Sequence, residues 1–215
     1  VVSNQPSGWT LVTDGLPGRV IGDNIRSADL DRDGRPDLVV ASNTSHFRDL
    51  LMLNRPDGSW MATGNRLVLA NGYHFDLQAL TEGDDGVVYA VFSQFLKLFD
   101  ENESRTGIIR YVLGEEGLYA PEDQIVMDDQ RNNAYCRLAA GDLNGDGLTD
   151  LVAGRKQVGL EIYVQSSDGK FSREVAPEVE KTGRPYELRL HDLDGDGFDD
   201  LIASFAETEE VQDKL

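Results

Sequence analysis

Short apolar runs alternate along the chain with polar segments that are rich in aspartate and glycine. The runs at 38–41, 151–153 and 201–203 consist mainly of Val, Leu, Ile and Ala, and each follows an acidic segment. Such short runs, bounded by turn residues, predict buried β-strands, because a helix needs a longer amphipathic stretch. The pattern therefore predicts an all-β protein.

A second pattern lies downstream of two of the acidic segments. Residues 51–60 and 162–171 each contain an apolar run, an Asp-Gly pair and then an aromatic residue. Asp-Gly between apolar runs is a strong signal for a β-hairpin. Each repeat is therefore predicted to have four strands, with strands a and b on either side of the acidic segment and strands c and d around the hairpin.

The acidic segments repeat one pattern at 29–37, 142–150 and 192–200. An oxygen-bearing side chain stands at loop positions one, three, five and nine, and a glycine stands at position six. Calcium binds six to eight oxygens at about 2.3–2.6 Å, and alternate residues of a tightly coiled loop point inward. The predicted side-chain ligands of three Ca²⁺ ions are Asp29, Asp31, Asp33 and Asp37; Asp142, Asn144, Asp146 and Asp150; and Asp192, Asp194, Asp196 and Asp200. Position seven is predicted to add a backbone carbonyl to each site, from Arg35, Leu148 and Phe198.

The EF-hand is the obvious alternative, since its loop begins in the same way. An EF-hand loop ends on a bidentate Glu at position twelve and lies between two helices. Position twelve is here Val40, Ala153 or Ala203, each within an apolar run. The acidic loops are therefore predicted to connect strand a to strand b.

A degenerate copy of the loop is expected between the first two. The loops begin at residues 29, 142 and 192, so the first interval is about twice the second, as in an array of repeats. Residues 81–89 keep an Asp-Gly pair and both apolar flanks, but the ligand positions carry Thr81, Gly83, Asp85 and Tyr89. With a single carboxylate, this loop is expected to be free of metal.

The order of an apolar strand, Asp-x-Asp/Asn-x-Asp-Gly-x-x-Asp and a second apolar strand resembles the FG-GAP repeats, also called VCBS-type repeats, of calcium-binding β-propellers. The repeats of integrin α-subunits are of this kind. The resemblance implies one calcium ion for each matching loop and one four-stranded blade for each repeat. It also implies a ring of several blades, usually seven. The Phe-Gly and Gly-Ala-Pro segments that give the family its name are not well kept in this chain.

The whole chain, 1–215, is predicted to be one β-propeller region of about four blades. Residues 1–13 resemble a c–d hairpin and are expected to supply the outer strands of a neighbouring or closing blade, while the last repeat has little beyond strands a and b. Three architectures stay open: a closed four-bladed ring, an eight-bladed ring of two chains, and part of a larger ring that further blades complete. The larger ring is preferred.

Composition and net charge limit the classes of binding partner that are expected. The formal net charge is −19 over 215 residues, and a strongly acidic chain is a poor partner for nucleic acid or an anionic membrane. No apolar stretch reaches the roughly eighteen residues of a membrane span, so membrane insertion is not expected. Cys136 is the only cysteine, which excludes an internal disulfide. A protein or glycan ligand is expected instead.

Catalytic motifs are missing from the sequence. It holds no Gly-x-Ser-x-Gly elbow, no His-Glu-x-x-His and no phosphate-binding glycine loop. A non-catalytic module for recognition, adhesion or scaffolding is therefore expected. The alternative is the propeller part of a carbohydrate-active enzyme such as a polysaccharide lyase, with Arg26, Arg137 and Arg189 binding an acidic sugar near the centre of the ring.

The loops also indicate a compartment. They lack the bidentate Glu that tightens an EF-hand, and extracellular calcium modules work at affinities of about 10⁻⁴–10⁻³ M. Weak sites of this kind suit a calcium-rich environment. An extracellular or periplasmic location is therefore expected.

Overall fold

The computed structural model describes residues 2–5, 8–11, 14–16, 24–41, 50–63, 72–95, 104–115, 117–119, 125–128, 134–156, 159–174 and 184–206. Within these ranges every regular element is a β-strand, and neighbouring strands pair in antiparallel fashion. The predicted all-β class is confirmed. The described ranges hold no helix with the length and apolar character of a membrane span.

The described strands form five sheets, each built from strands that follow one another in the sequence. The first sheet pairs β1 (Val2–Gln5) with β2 (Gly8–Leu11). The second contains β3 (Asn24–Ala28), β4 (Asp37–Ala41), β5 (Leu50–Asn54) and β6 (Trp60–Ala62). The third contains β7 (Gly72–Glu82), β8 (Asp85–Phe95), β9 (Ser104–Gly114), β10 (Gly117–Tyr119) and β11 (Val126–Asp128). The fourth contains β12 (Tyr135–Gly141), β13 (Asp150–Arg155), β14 (Gly159–Gln165) and β15 (Phe171–Glu174). The fifth pairs β16 (Pro185–His191) with β17 (Asp200–Phe205).

The second and fourth sheets follow the predicted order of strands a, b, c and d. Their outer strands are joined by the two predicted Asp-Gly hairpins, in which Gly58 and Gly169 have φ of 81° and 79°. In each hairpin the glycine N–H donates to the carbonyl three residues earlier, at 2.9 Å and 2.8 Å. Glycine suits this position because a side chain is disfavoured at positive φ. In the third sheet, the outer edge of β9 pairs with β10 and β11 in turn.

The hydrophobic core lies between successive sheets. The second to fifth sheets begin with β3, β7, β12 and β16. Each of these strands packs against the next one in the series, up to β16. In β8, Val88 and Phe92 face the second sheet, while Val87 and Tyr89 face the fourth. A strand whose two faces are both buried is apolar throughout rather than alternating, which explains the continuous apolar run in β8. Face-to-face sheets of this kind are consistent with propeller blades. That β1 and β2 complete the sheet of β16 and β17 stays a prediction.

The segment 81–89 differs from the degenerate loop that the sequence predicts. Glu82 pairs with Asp85, so that β7 and β8 are joined by a two-residue turn at 83–84. Tyr89 is fully buried in β8. The ligand positions keep a single carboxylate, and the antiparallel pairing of β7 and β8 continues through this segment to the turn.

The first strands of the third, fourth and fifth sheets carry a β-bulge at an equivalent place. The register shifts at Phe75 in β7, at Cys136 in β12 and at Tyr186 in β16. A bulge residue leaves its backbone groups out of the ladder. The carbonyls of Phe75 and Tyr186 accept hydrogen bonds from side chains of the preceding sheet instead, from Asn24 Nδ2 at 2.7 Å and Arg137 Nε at 2.5 Å.

Asp76, next to the first of these bulges, connects three sheets. Its carboxylate accepts hydrogen bonds from Arg26 Nη2 at 3.0 Å, from Leu77 N at 2.9 Å and from Leu138 N at 3.1 Å. The side chain is 2% exposed. Burial raises the pKa of Asp76, and the guanidinium of Arg26 opposes that effect. One buried carboxylate thus holds β3, β7 and β12 together.

We expect Asp76→Ala to lower the free energy of unfolding by about 3–5 kcal/mol, because it leaves the Arg26 guanidinium and the Leu138 N–H without their acceptor. Urea denaturation followed by circular dichroism measures this change. Asp84→Ala is the control, since the Asp84 side chain is 98% exposed and its removal should have little effect. Equal stability of the two variants would contradict the role of Asp76.

Candidate metal centre

The three acidic loops connect the first and second strands of their sheets, β3 to β4, β12 to β13 and β16 to β17. In each case the second strand begins at loop position nine, with Asp37, Asp150 or Asp200. The predicted strand–loop–strand arrangement is confirmed for all three loops.

The carboxylate at position one organises each loop. It accepts hydrogen bonds from the backbone N–H groups at positions five and six, at 3.0 and 2.9 Å in 29–37. The corresponding distances are 3.2 and 2.8 Å in 142–150 and 3.2 and 3.1 Å in 192–200. These bonds curl the backbone around the first residue. The repetition of the same bonds shows that the three loops have one conformation.

The intermediate positions continue the pattern. The side-chain oxygen at position three accepts from the N–H at position five, at 3.3, 2.9 and 3.1 Å in the three loops in order. The carboxylate at position five accepts from the N–H at position seven, at 3.0, 2.8 and 2.9 Å. The glycine at position six has φ of 85°, 80° and 91°, a conformation that favours glycine. The sharp turn predicted at position six is therefore present.

The aspartate at position nine closes each loop. Its Oδ2 accepts from the N–H at position two, at 2.9, 3.0 and 3.0 Å in loop order. In the first two loops its Oδ1 also accepts from the third strand of the sheet, from Asn54 N for Asp37 and from Gln165 N for Asp150, both at 2.9 Å. Asp37 and Asp150 are fully buried. These two carboxylates join the loop to two strands of its sheet.

Burial changes the pKa of Asp37 and of Asp150. Desolvation is the main cause that raises the pKa of Asp37 and of Asp150. Neighbouring carboxylates act in the same direction, Asp31 on Asp37 and Asp146 on Asp150. A cation in the loop would favour the charged form of both, so protons and a cation compete for these sites.

The first and third loops each bring three carboxylates close together. One oxygen of each of Asp29, Asp31 and Asp37 lies within 4.8 Å of the other two. The same distance holds for the equivalent residues of the third loop, Asp192, Asp194 and Asp200. The second loop has the amide oxygen of Asn144 at the third position. The position-five carboxylates, Asp33 and Asp196, are not part of these groups.

The donor set fits a hard cation. Every side chain at the four ligand positions offers oxygen, with neither nitrogen of His nor sulfur of Cys among them, and oxygen donors suit Ca²⁺ and Mg²⁺. The residues that would hold the ion are those at positions one, three and nine, joined by position five and the carbonyl at position seven.

The first loop differs from the others in carrying its own cations. Arg35, at position seven, forms an ion pair with Asp33, and its Nε donates to Asn54 O at 2.9 Å. Arg32, at position four, pairs with Asp84 and has φ of 60°, where the other two loops have glycine. Arg35 would therefore compete with a metal ion for Asp33.

The three arginines that the sequence places before the loops are engaged with neighbouring groups. Arg26 pairs with Asp76, and Arg189 pairs with Glu187 at 2.5 Å. Arg137 donates to the carbonyl of Tyr186, with its guanidinium 5.8 Å from the ring centroid. The contacts of Arg26 and Arg137 join neighbouring sheets, whereas Arg189 pairs with a residue of its own strand.

A polar cluster was not foreseen from the sequence. It consists of the buried residues Tyr135, Arg155, Glu161 and Tyr163, with the exposed Arg173 at its edge. Both tyrosine hydroxyls donate to Glu161 Oε2 at 2.6 Å. Glu161 Oε1 lies 3.3 Å from Arg155 and 2.7 Å from Arg173. Burial acts to raise the pKa of Glu161, but these donors and cations lower it. Burial and then Glu161 raise the pKa of both tyrosines, so the cluster stays in one protonation state at neutral pH and serves to join strands β12 to β15.

The sheets and the repeated strand–loop–strand units define a β-rich repeat protein whose sheets are consistent with propeller blades. Residues 142–203, which include the second and third loops, match the family model described as FG-GAP-like repeat. This part of the chain is therefore similar to an FG-GAP-like repeat. A comparison with curated proteins returns no match.

We expect Arg35→Leu to raise the calcium affinity of the first loop about two- to five-fold, because it removes a competing cation and an ion pair of partly exposed groups. Leucine is the residue at the same position of the second loop, Leu148. Calorimetric titration of a variant in which the other two loops are silenced measures the affinity. Arg55→Leu, a change of equal charge outside the loops, should leave it unaltered. A weaker first site in Arg35→Leu would contradict the competition.

Proposed function

We propose that the chain is a calcium-binding, non-catalytic β-propeller module with three Ca²⁺ sites, at 29–37, 142–150 and 192–200. The observation that supports the proposal most strongly is the shared set of backbone-to-carboxylate hydrogen bonds. These bonds hold the oxygen side chains of three separate loops in one arrangement. A chance cluster of surface acids would have no reason to repeat its backbone geometry three times.

Calcium is the cation that the donor set suits best. Each loop offers four oxygen side chains and one backbone carbonyl, which approaches the six to eight oxygens of a calcium site once water is added. Magnesium keeps most of its own water and demands a near-ideal octahedron with shorter bonds, of about 2.0–2.1 Å. A nine-residue loop crowded with carboxylates is better suited to the larger ion.

The metal has a structural role in this proposal. Three carboxylates within a few Å repel one another, and burial of Asp37 and Asp150 adds a desolvation cost. A bound cation offsets both terms. Because Asp37 and Asp150 also hold the third strand of their sheets, calcium binding contributes to the stability of the sheet as well as that of the loop.

The proposed role is recognition, adhesion or scaffolding outside the cytosol, with a protein or glycan ligand. Loops without a bidentate Glu fit the weak affinities of extracellular modules, about 10⁻⁴–10⁻³ M. A lyase-type site would need cations that are available to an acidic sugar, whereas Arg26 pairs with the buried Asp76 and Arg137 donates to Tyr186 O. Arg189 is 52% exposed and pairs with Glu187 of its own strand. These contacts favour the non-catalytic alternative.

Calorimetric titration of the chelator-treated protein is expected to give three calcium ions per chain. Asp33→Ala, Asp146→Ala and Asp196→Ala should each lower the number by one, since all three remove the aspartate at position five. Magnesium at the same concentrations should bind much more weakly. A parent stoichiometry of one or four ions would contradict the assignment, and dissociation constants below about 10⁻⁷ M would remove the reason for an extracytoplasmic location.

Removal of calcium is expected to lower the thermal melting temperature. An ion present at 100 times its dissociation constant contributes about 2.7 kcal/mol for each site, so excess chelator should give a large downward shift. The triple variant with Asp33, Asp146 and Asp196 replaced by alanine is the control, because chelator should not change its melting. Identical melting of the parent with and without calcium would refute the structural role of the ion.

A further inference from the structure

The second and third loops touch through a residue that is not a predicted ligand. The backbone N–H of Asp199, at position eight of the third loop, donates to Asp142 O at 2.8 Å. In return the N–H of Asp142 donates to Asp199 Oδ2 at 2.9 Å. Asp142 is position one of the second loop, the residue that organises its backbone. Two hydrogen bonds therefore fix the start of one loop to the end of the next.

The second loop is shaped to receive the third. A Cβ added at Gly141 would lie 2.2 Å from Asp199 Oδ2, and one added at Gly145 would lie 2.7 Å from the ring of Phe198. Residues with side chains at these two places would push the third loop away. The contact between the loops is therefore close as well as hydrogen-bonded.

Asp199 stands between two predicted ligands of the third loop, the carbonyl of Phe198 and the carboxylate of Asp200. An ion that holds both neighbours also restricts Asp199. Since Asp199 holds both backbone groups of Asp142, that restriction passes to the first ligand of the second loop. We propose that Asp199 positions Asp142 and thereby couples calcium binding in 142–150 to calcium binding in 192–200, an inference that rests on the proposed function.

The first loop supplies an internal comparison. Its position-one carbonyl, Asp29 O, is also held by the following sheet, through Thr81 Oγ1 at 2.8 Å. A Cβ on Gly86 would lie 2.1 Å from Leu30 O, so the packing is equally close. The neighbour here is the tight turn between β7 and β8, which has no acidic loop. Calcium binding in the first loop is therefore independent of the other two.

The coupling is measured by silencing one loop at a time with the position-five substitutions. With the first loop silenced by Asp33→Ala, the remaining two ions should bind cooperatively. Adding Asp196→Ala should then weaken the second loop about five- to twenty-fold, within the usual range of coupling between sites. Adding Asp146→Ala instead should weaken the third loop by the same factor, because coupling is reciprocal. In Asp196→Ala alone, the first and second loops should bind independently.

Two substitutions at Asp199 separate positioning from general stability. Asp199→Asn keeps an oxygen that accepts the Asp142 N–H, so it should retain the coupling. Asp199→Ala removes that acceptor and should reduce the coupling factor towards one, while the first loop keeps its affinity. A purely structural role would lower the melting temperature of Asp199→Ala without changing the coupling factor.

The outcomes distinguish this inference from the proposed function. Three ions that bind independently in the parent, or equal coupling in Asp199→Ala and Asp199→Asn, would overturn the coupling and leave the calcium module intact. A parent that binds no calcium would overturn both.

Discussion

In the first two repeats, the hydrogen bonds of the buried aspartate at position nine are the interactions on which the structure depends. In the first and second loops one carboxylate accepts hydrogen bonds from the loop, through Leu30 N or Leu143 N, and from the third strand, through Asn54 N or Gln165 N. It is also the first residue of the second strand. An apolar side chain at this position would leave buried N–H groups without acceptors, which costs about 1–3 kcal/mol for each group. The loop chemistry and the sheet are therefore parts of one structural unit.

The positions of the basic residues also depend on which carboxylates are buried. The chain has 39 acidic and 20 basic residues, so its cations cannot balance every carboxylate. Several of them contact carboxylates that are removed from water, as Arg26 does with Asp76, Arg110 with Glu82 and Arg155 with Glu161. Among the described residues, no ion pair involves the carboxylates of the second loop. Acids left without a protein cation, yet held in fixed positions by backbone N–H groups, form a site that gains most from a metal ion.

Local signals made part of this structure predictable. The spacing of aspartates specified the three loops, and the Asp-Gly pairs specified the two hairpins, because both depend on residues within about ten positions of each other. The bulges at Phe75, Cys136 and Tyr186 left no such mark, since a bulge depends on how the strand meets its neighbours. The contacts of Asp76 with Leu138 and of Tyr135 with Glu161 depend on strand register and on packing between sheets. The Asp-Gly pair at Asp85 resembled part of an acidic loop in the sequence. In the structure, Asp85 begins β8 directly after a two-residue turn.

In the contacts between repeats, each of the first two acidic loops is held by the sheet that follows it in the sequence. In both places where the structure describes the neighbour of an acidic loop, the following sheet holds the carbonyl at position one, through Thr81 Oγ1 for Asp29 and through Asp199 N for Asp142. Each loop is thus supported at its start by the repeat that comes after it, whether or not that repeat keeps its own loop. Thr81 gives this support from a strand that ends in a two-residue turn rather than in an acidic loop. In the proposed coupling, calcium in one loop influences the loop before it only where the supporting residue lies between proposed metal ligands, as Asp199 does and Thr81 does not.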